Sequence, residues 1–346
     1  MPPTLPQAHW RSVEVGGAPI ELMEAGAGDP LLFLHGWGLT PRAYSEAVLR
    51  LCAAGVRVIA PSLPGFGGSA ALGLGAGLGD YATRIAELLD HLDPDRPVFV
   101  VGHSLGGGIA LQLALDRPDL VRSVTVVNPV GGAPDRRGLK RASWLFWAVG
   151  AMAELDPREW LPSRTTGRLL GLVLRDLVPN LTRHPFQLLS AGVVALTADL
   201  ADEVADVVDS GLPSLFIWGD RDRLIGPGRL AKVSGAFAPE IVRGRHGWMI
   251  NHPDEFAATL RDALVVHALL ERSRRSELAG TTPRMTGTTG TPALRLAPGT
   301  SLGDAFPEER RRRARHVPEP VQDVPDPVYE TDPDPDAQTQ TNWAEQ

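Results

Sequence analysis

Ser104, Asp222 and His246 are the residues of this chain whose types and order could do covalent chemistry. A serine hydroxyl is a weak nucleophile. It needs a base to take its proton, and the base needs a third group to fix its tautomer and stabilise its cation. Ser104 lies in Gly102-His103-Ser104-Leu105-Gly106, a G-x-S-x-G pentapeptide. The pattern has meaning only between a strand and a helix. The flanking glycines leave room for a strained turn that a Cβ would block. Alone, the pentapeptide also reads as a glycine-rich turn with a helix-capping serine. The rest of the chain has to supply the acid and the base. Asp222 closes Gly219-Asp-Arg-Asp222, and His246 lies in Gly244-Arg-His246-Gly-Trp. The order serine, acid, histidine suits acyl transfer on an α/β scaffold.

The elements that must position these residues are legible as short apolar runs. Leu31–Leu34, Val56–Ala60, Val98–Val101, Val124–Val127 and Leu215–Trp218 each end in a turn signal. Continuous aliphatic runs suit strands buried on both faces. Helical patterns fall between them, around 42–53, 80–92, 105–116 and 253–271. The alternation predicts an α/β fold, a mostly parallel doubly wound sheet with helices on both sides. Trp10–Val15 and Pro19–Ala25 alternate in polarity and predict an antiparallel edge hairpin turning at Gly16-Gly17. In such sheets ligands bind at the carboxyl ends of the strands, where all three residues would sit.

The connection between Asn128 and Leu212 is too long to be a structureless loop and reads as a helical lid inserted after the sixth strand. Its apolar residues, among them Trp144, Phe146, Trp147, Met152 and Trp160, are expected mostly to pack the lid onto the core, with one or two facing a cavity. The expected organisation is a core of 1–130 and 211–275, a lid of 131–210 and a tail of 276–346. The tail is Thr/Gly-rich, then arginine-rich at 310–315, then Pro/Asp-rich, and is expected to be disordered.

Composition narrows the function classes. The formal net charge is −7, with no clustered positive footprint for nucleic acid outside 310–315, which reads as a solvated charge block. One cysteine, Cys52, forbids an intrachain disulfide and suits a reducing compartment. It is expected to be a buried apolar residue at a helix end. The N-terminus lacks a signal-peptide pattern, and no apolar run approaches the ~20 residues of a membrane span. A cytoplasmic protein is expected. No metal-ligand spacing is present, and Gly73–Gly79 lacks the register of a phosphate loop, so neither metal nor cofactor is implied.

Five motifs together resemble the α/β-hydrolase superfamily, across roughly residues 10–272. His35-Gly36-Trp37-Gly38 is similar to its oxyanion segment, and Pro64-Gly65-Phe66-Gly67-Gly68-Ser69 to its PGxGxS loop. Gly102–Gly106 matches the nucleophile elbow and Gly219–Asp222 the acid loop. His246 precedes Pro253 and Phe256 as in the family's H-x6-P-x-x-F ending. The resemblance implies that Ser104 attacks an acyl carbonyl, His246 shuttles the proton and Asp222 orients His246. It also implies that the backbone N–H groups of Trp37 and Leu105 form the oxyanion hole.

Asp220 is the rival acid, and the G-x-x-D register favours Asp222. Some members take the acid after the sixth strand, where this chain has Asn128-Pro129. His252 is expected at the surface or as a cap, His103 packed under the elbow, and His35 in a hydrogen-bonding or packing role. Ser62 stands where many members have aspartate, so the packing of that loop is expected to differ.

A serine nucleophile argues against the aspartate-using dehalogenases and epoxide hydrolases of the superfamily. The implied activity is hydrolysis of carboxylic esters of small or medium apolar substrates. The alternatives are a carbon–carbon bond hydrolase of ring-fission diketones, a cofactor-free perhydrolase, and a non-catalytic binding protein of the same fold.

Overall fold

The computed structural model describes residues 6–52, 55–94, 96–132, 171, 173–222, 224–225 and 239–278. Eight strands form one sheet: β1 (His9–Val15), β2 (Ala18–Gly26), β3 (Asp29–Leu34), β4 (Val56–Pro61), β5 (Val98–His103), β6 (Val121–Val127), β7 (Ser214–Gly219) and β8 (Glu240–Val242). Their order is β1-β2-β4-β3-β5-β6-β7-β8. β1 and β2 form the expected hairpin, and β2 pairs antiparallel with β4. Every later pairing is parallel.

The apolar runs are continuous because both faces of the sheet are covered. Leu32 and Leu34 of β3 face one cluster with Val98 and Val100 of β5 and Val124 and Val126 of β6. Leu31, Phe33, Phe99, Val101 and Val127 face the other. The strand period of two sends alternate residues to opposite sides, so a strand that is apolar at every position can be buried on both. Helices α2 (Leu78–Leu92) and α3 (Leu105–Asp116) cover the first face. Helix α1 (Pro41–Leu51) covers the second, together with Phe256, Ala257 and Leu260 of a C-terminal helix (Pro253–Leu278). That helix continues to Leu278, past the boundary expected at 275.

Between β6 and β7 the described residues are helical. A π-helical turn (Val173–Leu177) leads into α4 (Val178–Arg183), α5 (Pro185–Thr197) and α6 (Ala201–Asp209). Leu188, Ala191 and Ala195 of α5 and Val204 and Val207 of α6 join the first core cluster. The short helix α7 (Trp248–Asn251) and the 26-residue C-terminal helix, here α8, follow β8. The apolar residues Trp144, Phe146, Trp147, Met152 and Trp160 lie outside the described residues, as does the expected tail from 279 onward. Cys52 caps α1 and is half-buried rather than buried, and burial pushes its thiol up.

Candidate active site

β5 delivers Ser104 to the carboxyl edge of the sheet, and α3 starts at the next residue. Ser104 has φ 52° and ψ −115°, a conformation that side chains rarely adopt. Such strain costs on the order of 1–3 kcal/mol and persists only where its surroundings over-determine it. Here the Ser104 N–H donates to the Val127 carbonyl at 3.0 Å. The Ser104 carbonyl accepts from the N–H groups of Gly107, Gly108 and Val130 at 2.9, 3.2 and 3.1 Å. The flanking glycines are required by contact. A Cβ on Gly102 would stand 2.3 Å from the Gly106 carbonyl oxygen, and one on Gly106 would stand 2.3 Å from that of Leu34.

The loops after β7 and β8 bring the other two residues to Ser104. His246 Nε2 lies 2.9 Å from Ser104 Oγ, and its Nδ1 lies 2.9 Å from Asp222 Oδ2. A carboxylate only accepts, so Nδ1–H donates to Asp222 and the lone pair of Nε2 faces the Ser104 hydroxyl. The other oxygen of Asp222 accepts the N–H groups of Leu224 and Ile225, each at 2.9 Å. All three residues are buried. Asp220, by contrast, is exposed and accepts the Gly244 N–H at 2.8 Å. His252 is also exposed, at the entrance to α8.

Trp37 and Leu105 lie at the carboxyl ends of β3 and β5. Trp37 follows β3, and its ring Nε1–H donates to the Leu188 carbonyl of α5 at 2.7 Å. Leu105 is the first residue of α3, where a helical N–H has no carbonyl one turn back to bond. The close approach of Gly106 to the Leu34 and His35 carbonyls sets the start of α3 against the end of β3.

Asn128, outside the five motifs, and His103 and His35, within them, hold this arrangement. Asn128, at φ 45°, donates from Nδ2 to the His246 carbonyl at 3.2 Å, and its Oδ1 accepts the Gly219 N–H at 3.0 Å. Asn128 stands at the turn after β6, where some members of the superfamily carry the acid. Its signal was there in the local sequence: asparagine tolerates positive φ better than most residues. His103 Nε2 lies 3.0 Å from the same His246 carbonyl, and its Nδ1 lies 2.7 Å from Tyr44 Oη. His35 accepts the Leu63 N–H at Nε2 (2.8 Å) and donates from Nδ1 to the Gly36 carbonyl (2.9 Å). Burial pushes His35 down to about 4, which keeps it neutral as that pattern requires.

The Pro64–Ser69 loop is tied to β2 through Ser62. Ser62 Oγ donates to Glu21 at 2.9 Å, the Gly68 N–H donates to the same carboxylate, and Arg42 pairs with it. Burial alone would raise the Glu21 carboxyl, but these donors outweigh it and hold it below its ordinary value. The helical insertion is pinned to the same loops. Asp176 accepts from the Thr40 N–H and hydroxyl at 3.2 and 3.0 Å. Asn180 bonds the Gly67 N–H and the Gly38 carbonyl, and Gln187 donates to Tyr81 Oη. Among the described residues no His/Cys/Asp/Glu group is arranged to hold a metal ion, and no helix is long and apolar enough to cross a membrane.

Comparison with known proteins gives a consistent picture. A family model described as the alpha/beta hydrolase family matches residues 31–259. A protein of Mycobacterium phage D29, named as a non-heme haloperoxidase, is 29% identical over 286 residues, covering 79% of this chain and 99% of its own. Haloalkane dehalogenase 2 of Mycobacterium tuberculosis is 28% identical over 261 residues, 70% of this chain and 90% of its own. Among solved structures, the enol-lactonase from Burkholderia xenovorans LB400 superposes with a TM-score of 0.59 at 19% identity, over 74% of this chain and 100% of that one.

Proposed function

The chain belongs to the alpha/beta hydrolase family, and on that premise we propose that it is a serine hydrolase cleaving carboxylic esters of small to medium apolar substrates. The observation that carries the reading is the continuous relay Ser104 Oγ to His246 to Asp222, with both links at 2.9 Å. His246 Nε2 takes the Ser104 proton as Oγ attacks the acyl carbon. The tetrahedral oxyanion is received by the N–H groups of Trp37 and Leu105. His246 then gives its proton to the leaving alcohol, and Asp222 stabilises the imidazolium throughout. Water, activated by the same histidine, releases the acid. The partner is a small molecule, and the chemistry calls for no cofactor.

The serine also decides against the activity named for the dehalogenase relative. A serine oxygen displacing halide from an alkyl halide would form an ether, which water does not cleave under these conditions. An acyl-enzyme ester, in contrast, turns over.

A second reading is favoured by the phage relative's name. If hydrogen peroxide replaces water in the second half-reaction, the acyl-enzyme yields a peracid, which oxidises halide without a metal. The test is a substrate panel: aryl esters of increasing acyl length, a vinylogous diketone, and an ester with peroxide and bromide. The account expects ester turnover fastest, at short to medium acyl chains. Faster cleavage of the diketone overturns it in favour of carbon–carbon hydrolysis, and bromide oxidation outpacing ester hydrolysis favours the perhydrolase.

A further inference from the structure

We propose that Tyr44 and His103 are positioning residues. Their hydrogen-bonded pair ties the oxyanion loop to the main chain of His246, so that base and oxyanion hole keep one register. The inference rests on the serine-hydrolase reading above and deepens it.

The directions of the bonds follow from chemistry. His103 Nε2 faces the His246 carbonyl at 3.0 Å, and a carbonyl only accepts, so the ring proton is on Nε2. In a neutral ring Nδ1 is then a lone pair, and the Tyr44 O–H donates to it at 2.7 Å. The Tyr44 oxygen in turn accepts the N–H of Gly36 at 3.1 Å. A cationic His103 would leave the Tyr44 proton without an acceptor and place a charge beside His246, whose ring centroid is 4.9 Å away. Burial and that neighbour hold His103 well below the ordinary imidazole range, in agreement with the neutral form.

The chain therefore runs Gly36 N–H to Tyr44 Oη, Tyr44 O–H to His103 Nδ1, and His103 Nε2–H to the His246 carbonyl. Gly36 is the residue before Trp37, whose N–H is assigned to the oxyanion hole. Tyr44 is fully buried on α1 and packs against Phe33 of β3 with centroids 5.0 Å apart. The fit requires glycine at 36, since a Cβ there would stand 2.8 Å from His103 Nδ1 and 3.1 Å from Tyr44 Oη. Neither Tyr44 nor His103 reaches the Ser104 hydroxyl through any of these bonds, so neither is assigned a proton transfer.

The test measures the rate of fluorophosphonate labelling at Ser104, with kcat and KM for an aryl ester, in wild type, Tyr44→Phe, His103→Leu and His103→Gln. Thr259→Ala serves as a control for losing a buried hydroxyl elsewhere, since Thr259 Oγ1 on the C-terminal helix donates to the Glu255 carbonyl at 3.0 Å. Tyr44→Phe removes a single atom and keeps the ring packing. Misplacing a reacting group by about 1 Å can cost about 100-fold. Tyr44→Phe and His103→Leu are expected to slow labelling and kcat together by about 10- to 100-fold, with KM unchanged. His103→Gln, which keeps an N–H donor, is expected to recover most of that loss. Thr259→Ala is expected to label at the wild-type rate. Nitrogen-15 NMR of labelled histidines is expected to find His103 neutral with its proton on Nε2 across neutral pH.

Wild-type labelling rates in both Tyr44→Phe and His103→Leu, or a proton on Nδ1 of His103, overturn the proposal while leaving the serine-hydrolase reading intact. A wild type that never labels overturns that reading instead, and the positioning role with it.

Discussion

Asp220 and Asp222 share one loop and one charge, yet only Asp222 turns inward to His246. Its second oxygen is held by two backbone N–H groups, so the carboxylate is aimed before any substrate arrives. Asp222→Asn should therefore lower kcat by about 10⁴, as expected when the base is held in the wrong tautomer. Asp220→Asn, at a carboxylate that accepts the Gly244 N–H, should cost less than about tenfold, because a surface hydrogen bond acts on the loop and not on the base. Steady-state ester hydrolysis separates the two. At this scale residue type and spacing single out Ser104, Asp222 and His246, which the structure brings within hydrogen-bond reach of one another. The sequence was silent where a role depends on where a side chain points. His103 and Tyr44 are 59 positions apart. Asn128 reaches a carbonyl 118 positions away. Nothing in local pattern brings such pairs together.

The elbow is the element on which the site depends. α3 starts where β5 ends; the intervening Ser104 holds a positive φ under the backbone hydrogen bonds of its N–H and carbonyl, and the carbonyls of Leu34 and His35 leave no room for a Cβ on Gly106. Gly106→Ala should force that contact apart. The expected loss is about 1–3 kcal/mol of stability, the usual cost of overpacking, together with slower labelling of Ser104. Urea unfolding followed by probe kinetics checks both effects. The strands themselves were readable because a run apolar at every position has few other places to go than a sheet covered on both faces. β8, only three residues long, was visible mainly through the loop that follows it. The attachment of the helical insertion was not readable. Asp176, Asn180 and Gln187 meet partners more than 100 positions away, and each pairing depends on how helices settle on loops rather than on periodicity.

At the scale of the whole molecule, buried neutral histidines couple stability to acid. His35 and His267 are pushed down to about 4 by burial, whereas an unfolded histidine titrates near 6.5. Below that value the unfolded chain binds protons that the folded chain refuses, so stability is full above about pH 6.5 and is lost as pH falls toward 4. Each residue should contribute a loss of roughly 2 kcal/mol between pH 7 and pH 5. Urea midpoints at the two pH values measure the sum. His35→Gln or His267→Leu should flatten the slope, and an unchanged slope in both variants would contradict the assignment. The whole scaffold serves one claim, that Ser104 is a nucleophile activated by His246. Intact-mass analysis after incubation with a fluorophosphonate tests it most directly. The account predicts one phosphonyl adduct on the wild-type chain, mapped to Ser104 and absent from Ser104→Ala and strongly slowed in His246→Ala. An unlabelled wild type, or equal labelling of Ser104→Ala, would contradict it.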